Sequence, residues 1–260
     1  MSVLRVSLVQ QPLVWQDAEA NRAHFESLLL PLAGQTDLVV LPETFTTGFS
    51  MDVERLGERA GGASSQWLAQ LAARLDAAVT GSVITVDGEH YFNRLLWAAP
   101  AGELRAYDKR HLFRMGREHQ HFTAGRAAWS IPWRGFNICP LVCYDLRFPV
   151  FSRRRTQLDY DLLLYVANWP AARASAWRQL LPARAIENQA YVVGVNRVGV
   201  DGQGIAYGGD SAAIDFLGDP LVELGAAARI ETVSLDAEAL QAFRSKFPAH
   251  LDADAFTLGV

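Results

Sequence analysis

Leu141-Val142-Cys143-Tyr144-Asp145-Leu146-Arg147-Phe148-Pro149 is the stretch on which the reading of this chain turns. The apolar run 136–142 reads as a buried strand that ends at a cysteine, and a helix is expected over 149–157. A thiol at a strand-to-helix corner is held away from the core, and backbone N–H groups beside it can stabilise a thiolate. The competing reading makes Cys143 a small core hydrophobe, as most free cysteines are. Cys139, between Ile138 and Pro140, has no such corner and suits that core role. In one strand their Cα atoms would lie about 13 Å apart. That exceeds the roughly 7 Å a disulfide spans, so none is expected.

Outward from this corner, apolar runs alternate with helical patterns. Strands are expected at 4–9, 37–41, 79–86, 91–98, 103–107, 162–166, 191–196, 211–216, 221–224 and 230–234. Asp87-Gly88 makes 79–86 and 91–98 a hairpin, and Gly218-Asp219-Pro220 marks another turn. Helices are expected at 17–33, at 64–77 with Ser64 or Ser65 as N-cap, at 174–188, and from an Asp236 cap to 246. The polar stretch 109–125 reads as the longest loop. Helix-connected strands mixed with hairpins define an α/β layered fold, expected as a single domain over 1–260 with a short C-terminal tail.

The 260 residues are half apolar, enough for a sizeable core, and the net charge is −4. An acidic chain whose one basic cluster is Arg153-Arg154-Arg155, read as a solvated helical turn, has no footprint for nucleic acid. No run approaches the ~18 apolar residues of a membrane span. Residues 1–6 read as a strand and lack the succession of a signal peptide. With reduced thiols, these features predict a cytoplasmic enzyme.

A cysteine nucleophile needs a base and an oxyanion partner. The six histidines are His24, His90, His111, His119, His121 and His250, and none lies in a setting that marks a base. His111, His119 and His121 could ligate a metal, but no HExxH or CxxC accompanies them, so no metal is expected. Glu43, in Val39-Val40-Leu41-Pro42-Glu43-Thr44-Phe45, sits just past a buried strand, where burial raises a carboxyl toward neutral working pH. The alternative is a surface turn acid. Lys109, in Tyr107-Asp108-Lys109-Arg110-His111-Leu112-Phe113, follows a third strand. All but two of the 24 basic residues are arginine, so a lysine kept here points to a need for a compact ammonium.

These three segments, in this order, resemble the Glu, Lys and Cys motifs of the nitrilase superfamily. Glu118-His119-Gln120-His121-Phe122-Thr123-Ala124-Gly125 resembles that family's second-glutamate motif. The segments 183–191 and Gly209-Asp210-Ser211 look like further landmarks. Val142–Ser152 and Tyr165-Val166-Ala167-Asn168-Trp169-Pro170 look most like the omega-amidase branch. The resemblance implies a four-layer α-β-β-α sandwich, usually dimerised through its helical face, that is, a homodimer. It also implies cofactor-independent hydrolysis of a small carboxamide, such as the terminal amide of a 2-oxo-dicarboxylic acid monoamide, through a Cys143 thioester.

In those terms Glu43 is the base, and Lys109 with the Tyr144 backbone N–H holds the oxyanion. Glu118 positions Lys109 and substrate. A substrate carboxylate would be met by Arg114 or Arg147, the latter equally suited to an ion pair within its motif. Phe49 and Trp169 are candidate pocket walls. The partner is thus a small-molecule amide, with no nucleic acid, membrane, metal or organic cofactor. Rival readings are a nitrilase using the same residues, a Cys–His hydrolase, and a non-catalytic protein that keeps the fold.

Overall fold

The computed structural model describes residues 3–258; the four terminal residues of the expected 1–260 domain lie outside them. Among the described residues the strands, in chain order, are β1 Val3–Gln10, β2 Leu38–Val40, β3 Glu58–Arg59, β4 Ala78–Asp87, β5 His90–Ala98, β6 Leu104–Asp108, β7 Ile131–Trp133, β8 Phe136–Val142, β9 Leu162–Ala167, β10 Tyr191–Asn196, β11 Val198–Val200, β12 Ala206–Gly208, β13 Ala212–Ile214, β14 Pro220–Glu223 and β15 Arg229–Asp236. The helices are α1 Ala18–Leu29, α2 Val53–Leu56, α3 Ala63–Leu75, α4 Glu118–His121, α5 Pro149–Ser152, α6 Ala174–Asn188 and α7 Ala237–Lys246.

Two sheets form, ordered β15-β1-β2-β4-β5-β6 and β14-β13-β10-β9-β8-β7. Period-two alternation decides which side chain enters which layer. In β2, Leu38 and Val40 join the core shared with the second sheet, while Val39 turns to the core beneath α1 and α3. In β5, Leu95 and Trp97 face the shared core, and Leu96 and Ala98 face the helices. On the far side α6 lies directly on β10. A Cβ at Gly194 would come within 2.8 Å of Leu181 and Trp177, so only glycine lets helix and sheet approach this closely. The result is the α-β-β-α sandwich. No helix of the described residues is long and apolar enough to cross a membrane.

Several local expectations are corrected. The N-cap of α3 is Gly62, not Ser64 or Ser65, and it makes no side-chain bond. Ser64 is buried inside the first turn, where the Glu58 carboxylate accepts its N–H at 2.7 Å and its hydroxyl at 2.5 Å. The long polar loop contains a short 3-10 turn, Arg114–Gly116, followed by α4. The helix expected over 149–157 stops at Ser152, so Arg153-Arg154-Arg155 is extended chain rather than a solvated helical turn. Arg153 and Arg155 donate to backbone carbonyls, and Arg154 pairs with Asp159 at 2.6 Å. Strands β7, β11 and β12 were not anticipated. β11 and β12 pair with each other and belong to neither large sheet. Asp236 does cap α7, accepting the N–H groups of Glu238 and Ala239.

Candidate active site

Strands β2 and β6 point the same way in one sheet, as do β8 and β9 in the other, and the segments following their carboxyl ends converge on one place. Glu43 follows β2, Lys109 follows β6, Cys143 follows β8 and Asn168 follows β9. Polar groups gather there because a buried strand has no place for them until it ends.

Cys143 opens a 3-10 turn, Cys143–Arg147, with φ 44°. A non-glycine residue there carries about 1–3 kcal/mol of strain, so something must hold it. Asp145 does. Its Oδ2 accepts the Val142 N–H at 3.0 Å and the Tyr107 hydroxyl at 2.7 Å. Its Oδ1 accepts the His111 backbone N–H at 3.0 Å and lies 2.7 Å from His111 Nδ1. From the far side, buried Arg184 of α6 donates to the Leu146 carbonyl at 2.6 Å.

Lys109 Nζ donates to Glu43 Oε1 at 2.8 Å and to Glu118 Oε1 at 3.0 Å, all three side chains being buried. It also lies 5.2 Å from the centre of the Phe49 ring. Glu43 Oε2 accepts the Asn168 N–H at 2.7 Å, and the Asn168 side chain donates to the Glu43 carbonyl and to Thr44 Oγ1. Asn93 of β5 donates to both carboxylates.

Burial alone would lower the Lys109 ammonium, but the carboxylates of Glu118 and Glu43 outweigh it and hold it above its ordinary value. Burial raises Glu118; Lys109 opposes that and Glu43 adds to it. Burial, then the Glu43 charge, push the Cys143 thiol well above 9, with Lys109 opposing. Cys143 therefore rests as a thiol, not the thiolate that corner amides alone would favour. To act as a nucleophile it would need a nearby base to take its proton.

Cys143 is 8 % exposed and opens onto a cavity of about 90 Å³. Phe49, Tyr144, Arg147 and Trp169, all anticipated, line it. Arg114 does not: it is exposed on its 3-10 turn, whose cavity-facing members are Phe113 and Gly116. Arg173 instead joins Arg147 at the mouth. The two guanidinium carbons lie 5.1 Å from the Trp169 ring centre for Arg147 and 5.2 Å from that of Phe113 for Arg173. Arg147 makes no ion pair among the described residues. No histidine lines the cavity. Gln203, Ile205 and Tyr207, from the β11–β12 hairpin, form its outer wall.

Residues 5–245 match the Carbon-nitrogen hydrolase family. The chain belongs to that family. The hydrolase is 51 % identical over 262 residues to the omega-amidase YafV of Yersinia enterocolitica, covering 99 % of this chain and all of the relative. It is 30 % identical over 250 residues to the 2-oxoglutaramate amidase of Bacillus subtilis, covering 95 % of this chain and 96 % of that one. A CN-hydrolase superfamily protein from Xanthomonas campestris, solved with an arsenic adduct in its active site, superposes with a TM-score of 0.97. It is 54 % identical, with both chains fully covered.

Glu43, Lys109, Glu118 and Cys143, each from a different sequence motif, are thus brought together in one place. Asn93, Asn168, Asp145 and Arg173 had not been singled out. Asn93 sits mid-strand between Phe92 and Arg94, in a stretch where nothing in the sequence marks it.

Proposed function

We propose that this hydrolase is an omega-amidase, converting the terminal carboxamide of a short anionic monoamide, such as 2-oxoglutaramate, to the acid and ammonia through a Cys143 thioester. The observation that carries this reading is the buried Glu43–Lys109–Cys143 cluster at the base of a small cavity whose mouth holds Arg147 and Arg173. A guanidinium is the side chain best matched to a carboxylate, and here two stand beside apolar walls. The omega-amidase and 2-oxoglutaramate amidase relatives support the same substrate class.

In the first half-reaction Glu43 accepts the Sγ proton as sulfur attacks the amide carbon, and the carbonyl electrons move to oxygen. The Lys109 ammonium and the Tyr144 backbone N–H hold that oxyanion; one such donor is worth about 3 kcal/mol of barrier. Collapse expels the nitrogen, which takes the proton from Glu43 and leaves as ammonia. In the second half, water attacks the thioester while Glu43 takes its proton. Collapse expels the thiolate, which recovers that proton, and the acid departs. Glu118 anchors Lys109 throughout. We further propose a homodimer through the helical face, where Ile186, Leu217 and Phe247, each more than half exposed, line one groove.

The test is ammonia release from 2-oxoglutaramate, from an uncharged short amide and from the matching nitrile, with mass spectrometry of the trapped protein. The reading expects the anionic amide to react fastest and Cys143 to carry the acyl mass. Preference for the uncharged amide removes the omega-amidase assignment. Faster nitrile turnover makes the protein a nitrilase.

A further inference from the structure

Asn93 lies in none of the motifs, yet its side chain touches both buried carboxylates and its backbone holds the chain at Lys109. It is fully buried in β5. Its Nδ2 donates to Glu43 Oε1 at 2.8 Å and to Glu118 Oε1 at 3.1 Å. Its carbonyl accepts the Lys109 backbone N–H at 3.0 Å. One residue therefore ties together the base, the second carboxylate and the stretch of chain that bears the ammonium.

Lys109 bridges the same two carboxylates through Nζ. Two buried carboxylates beside one ammonium and a neutral thiol leave negative charge in excess. A neutral donor shared by both steadies them without adding a second cation to rival Lys109 for the oxyanion. The orientation of the Asn93 amide follows from its partners. Carboxylate oxygens of ionised groups only accept, so Nδ2 must face them. Oδ1 is then left buried without a hydrogen-bond partner. Leaving a carbonyl oxygen unpaired inside a protein is unfavourable, and here it accompanies a bridge placed between the two acids.

We propose that Asn93 is a positioning residue for the reaction: its one amide nitrogen, shared between Glu43 and Glu118, holds the Glu43 carboxylate in place beside Cys143. This rests on the reading of Glu43 as base and Cys143 as nucleophile given above. Glu43 is also faced by Lys109, Glu118, Cys143 and Tyr207. All four are retained when Asn93 alone is changed. Without the bridge Glu43 keeps the Lys109 and Asn168 donors but loses the one it shares with Glu118. Its carboxylate is then less firmly placed, and fewer molecules have the base aligned with the thiol.

The test is the pH profile of kcat and kcat/KM for Asn93→Ala and Asn93→Ser on any short amide the wild type turns over, with Cys143→Ala as the blank. Melting curves and circular dichroism identify the folded variants. Asn93→Ala should lower kcat about 10- to 100-fold, the range seen when a supporting hydrogen-bond partner is lost. KM should change less than about threefold, because the binding wall is untouched. Asn93→Ser, which keeps a donor, should recover part of the lost kcat. Asn93→Asp adds a sign: its protonated carboxyl can donate, so its activity relative to wild type should rise as pH falls.

A folded Asn93→Ala with the wild-type kcat, losing only affinity or melting temperature, overturns the proposal. So does failure of every variant to fold, which would make Asn93 structural. Turnover by Cys143→Ala instead overturns the catalytic reading on which it rests.

Discussion

Lys109 Nζ stands 2.8 Å from Glu43 Oε1, and solvent reaches neither side chain. Removing one partner of such a pair leaves an uncompensated buried charge, at about 3–5 kcal/mol. Lys109→Ala strips the cation from both Glu43 and Glu118. It should lower stability by that amount and cut kcat by about 10²–10³-fold through the lost oxyanion donor. Lys109→Arg should not restore activity, since a planar fork cannot replace a compact ammonium in a closed site. Thermal denaturation and kcat measured on the same preparations check both statements; a fully active Lys109→Arg would refute the second.

Glu43 has two opposed effects on Cys143, and Glu43→Gln separates them. The glutamine cannot accept the thiol proton, so turnover should fall by at least about 10³-fold. The negative charge that holds the thiol up is gone as well. Iodoacetamide should therefore alkylate Cys143 faster in the inactive variant than in the wild type at pH 8. Slower alkylation would mean that Glu43 does not govern the thiol.

Stability should decline as pH rises above about 9. The ordinary value for a cysteine is 9.0, and in the folded chain burial pushes Cys139 and Cys143 above it. Between the unfolded and folded values the folded state binds more protons, so stability falls with increasing pH. Lys109 acts in the same direction beyond its ordinary 10.5, as its stabilising charge is lost. Urea midpoints at pH 7, 9 and 10.5 test this, and a flat series contradicts it. Cys139→Ala should flatten the decline.

Arg147 and Arg173 share the cavity mouth, and each should matter to an anionic substrate alone. Arg147→Ala and Arg173→Ala should each raise KM for 2-oxoglutaramate by at least about tenfold and leave an uncharged amide within about threefold. Equal losses on both substrates would assign them to the shape of the pocket. Arg114→Ala should leave both unchanged.

Asp145 accepts hydrogen bonds from Val142, Tyr107 and His111, locking the strained corner at Cys143. Unpairing buried donors costs about 1–3 kcal/mol each, so Asp145→Ala should lose more than about 3 kcal/mol and most activity. Asp145→Asn, which keeps one acceptor, should lose less. Denaturant titration with a parallel kcat measurement distinguishes them.

The strands were legible because alternation survives even in β2, where three residues split between two cores. The helix expected beyond Ser152 was not there. Arginines that read as a solvated face instead find carbonyls and Asp159 once the chain extends. Glu43 and Cys143 were legible because each follows an apolar run, and Lys109 because it is one of two lysines in an arginine-rich chain and follows a strand. Asn93 and Asn168 were not, since their partnership with Glu43 spans 50 and 125 residues. Arg114 and Arg173 show the same limit: proximity to a motif in sequence did not predict which guanidinium reaches the cavity.

The β11–β12 hairpin places Gln203 and Ile205 at the cavity while pairing with neither large sheet. Part of the cavity wall therefore comes from a strand pair outside the two sheets whose ends carry Glu43, Lys109 and Cys143. Substitutions at 203 and 205 should reshape that wall while leaving the hydrogen bonds among Glu43, Lys109 and Glu118 in place.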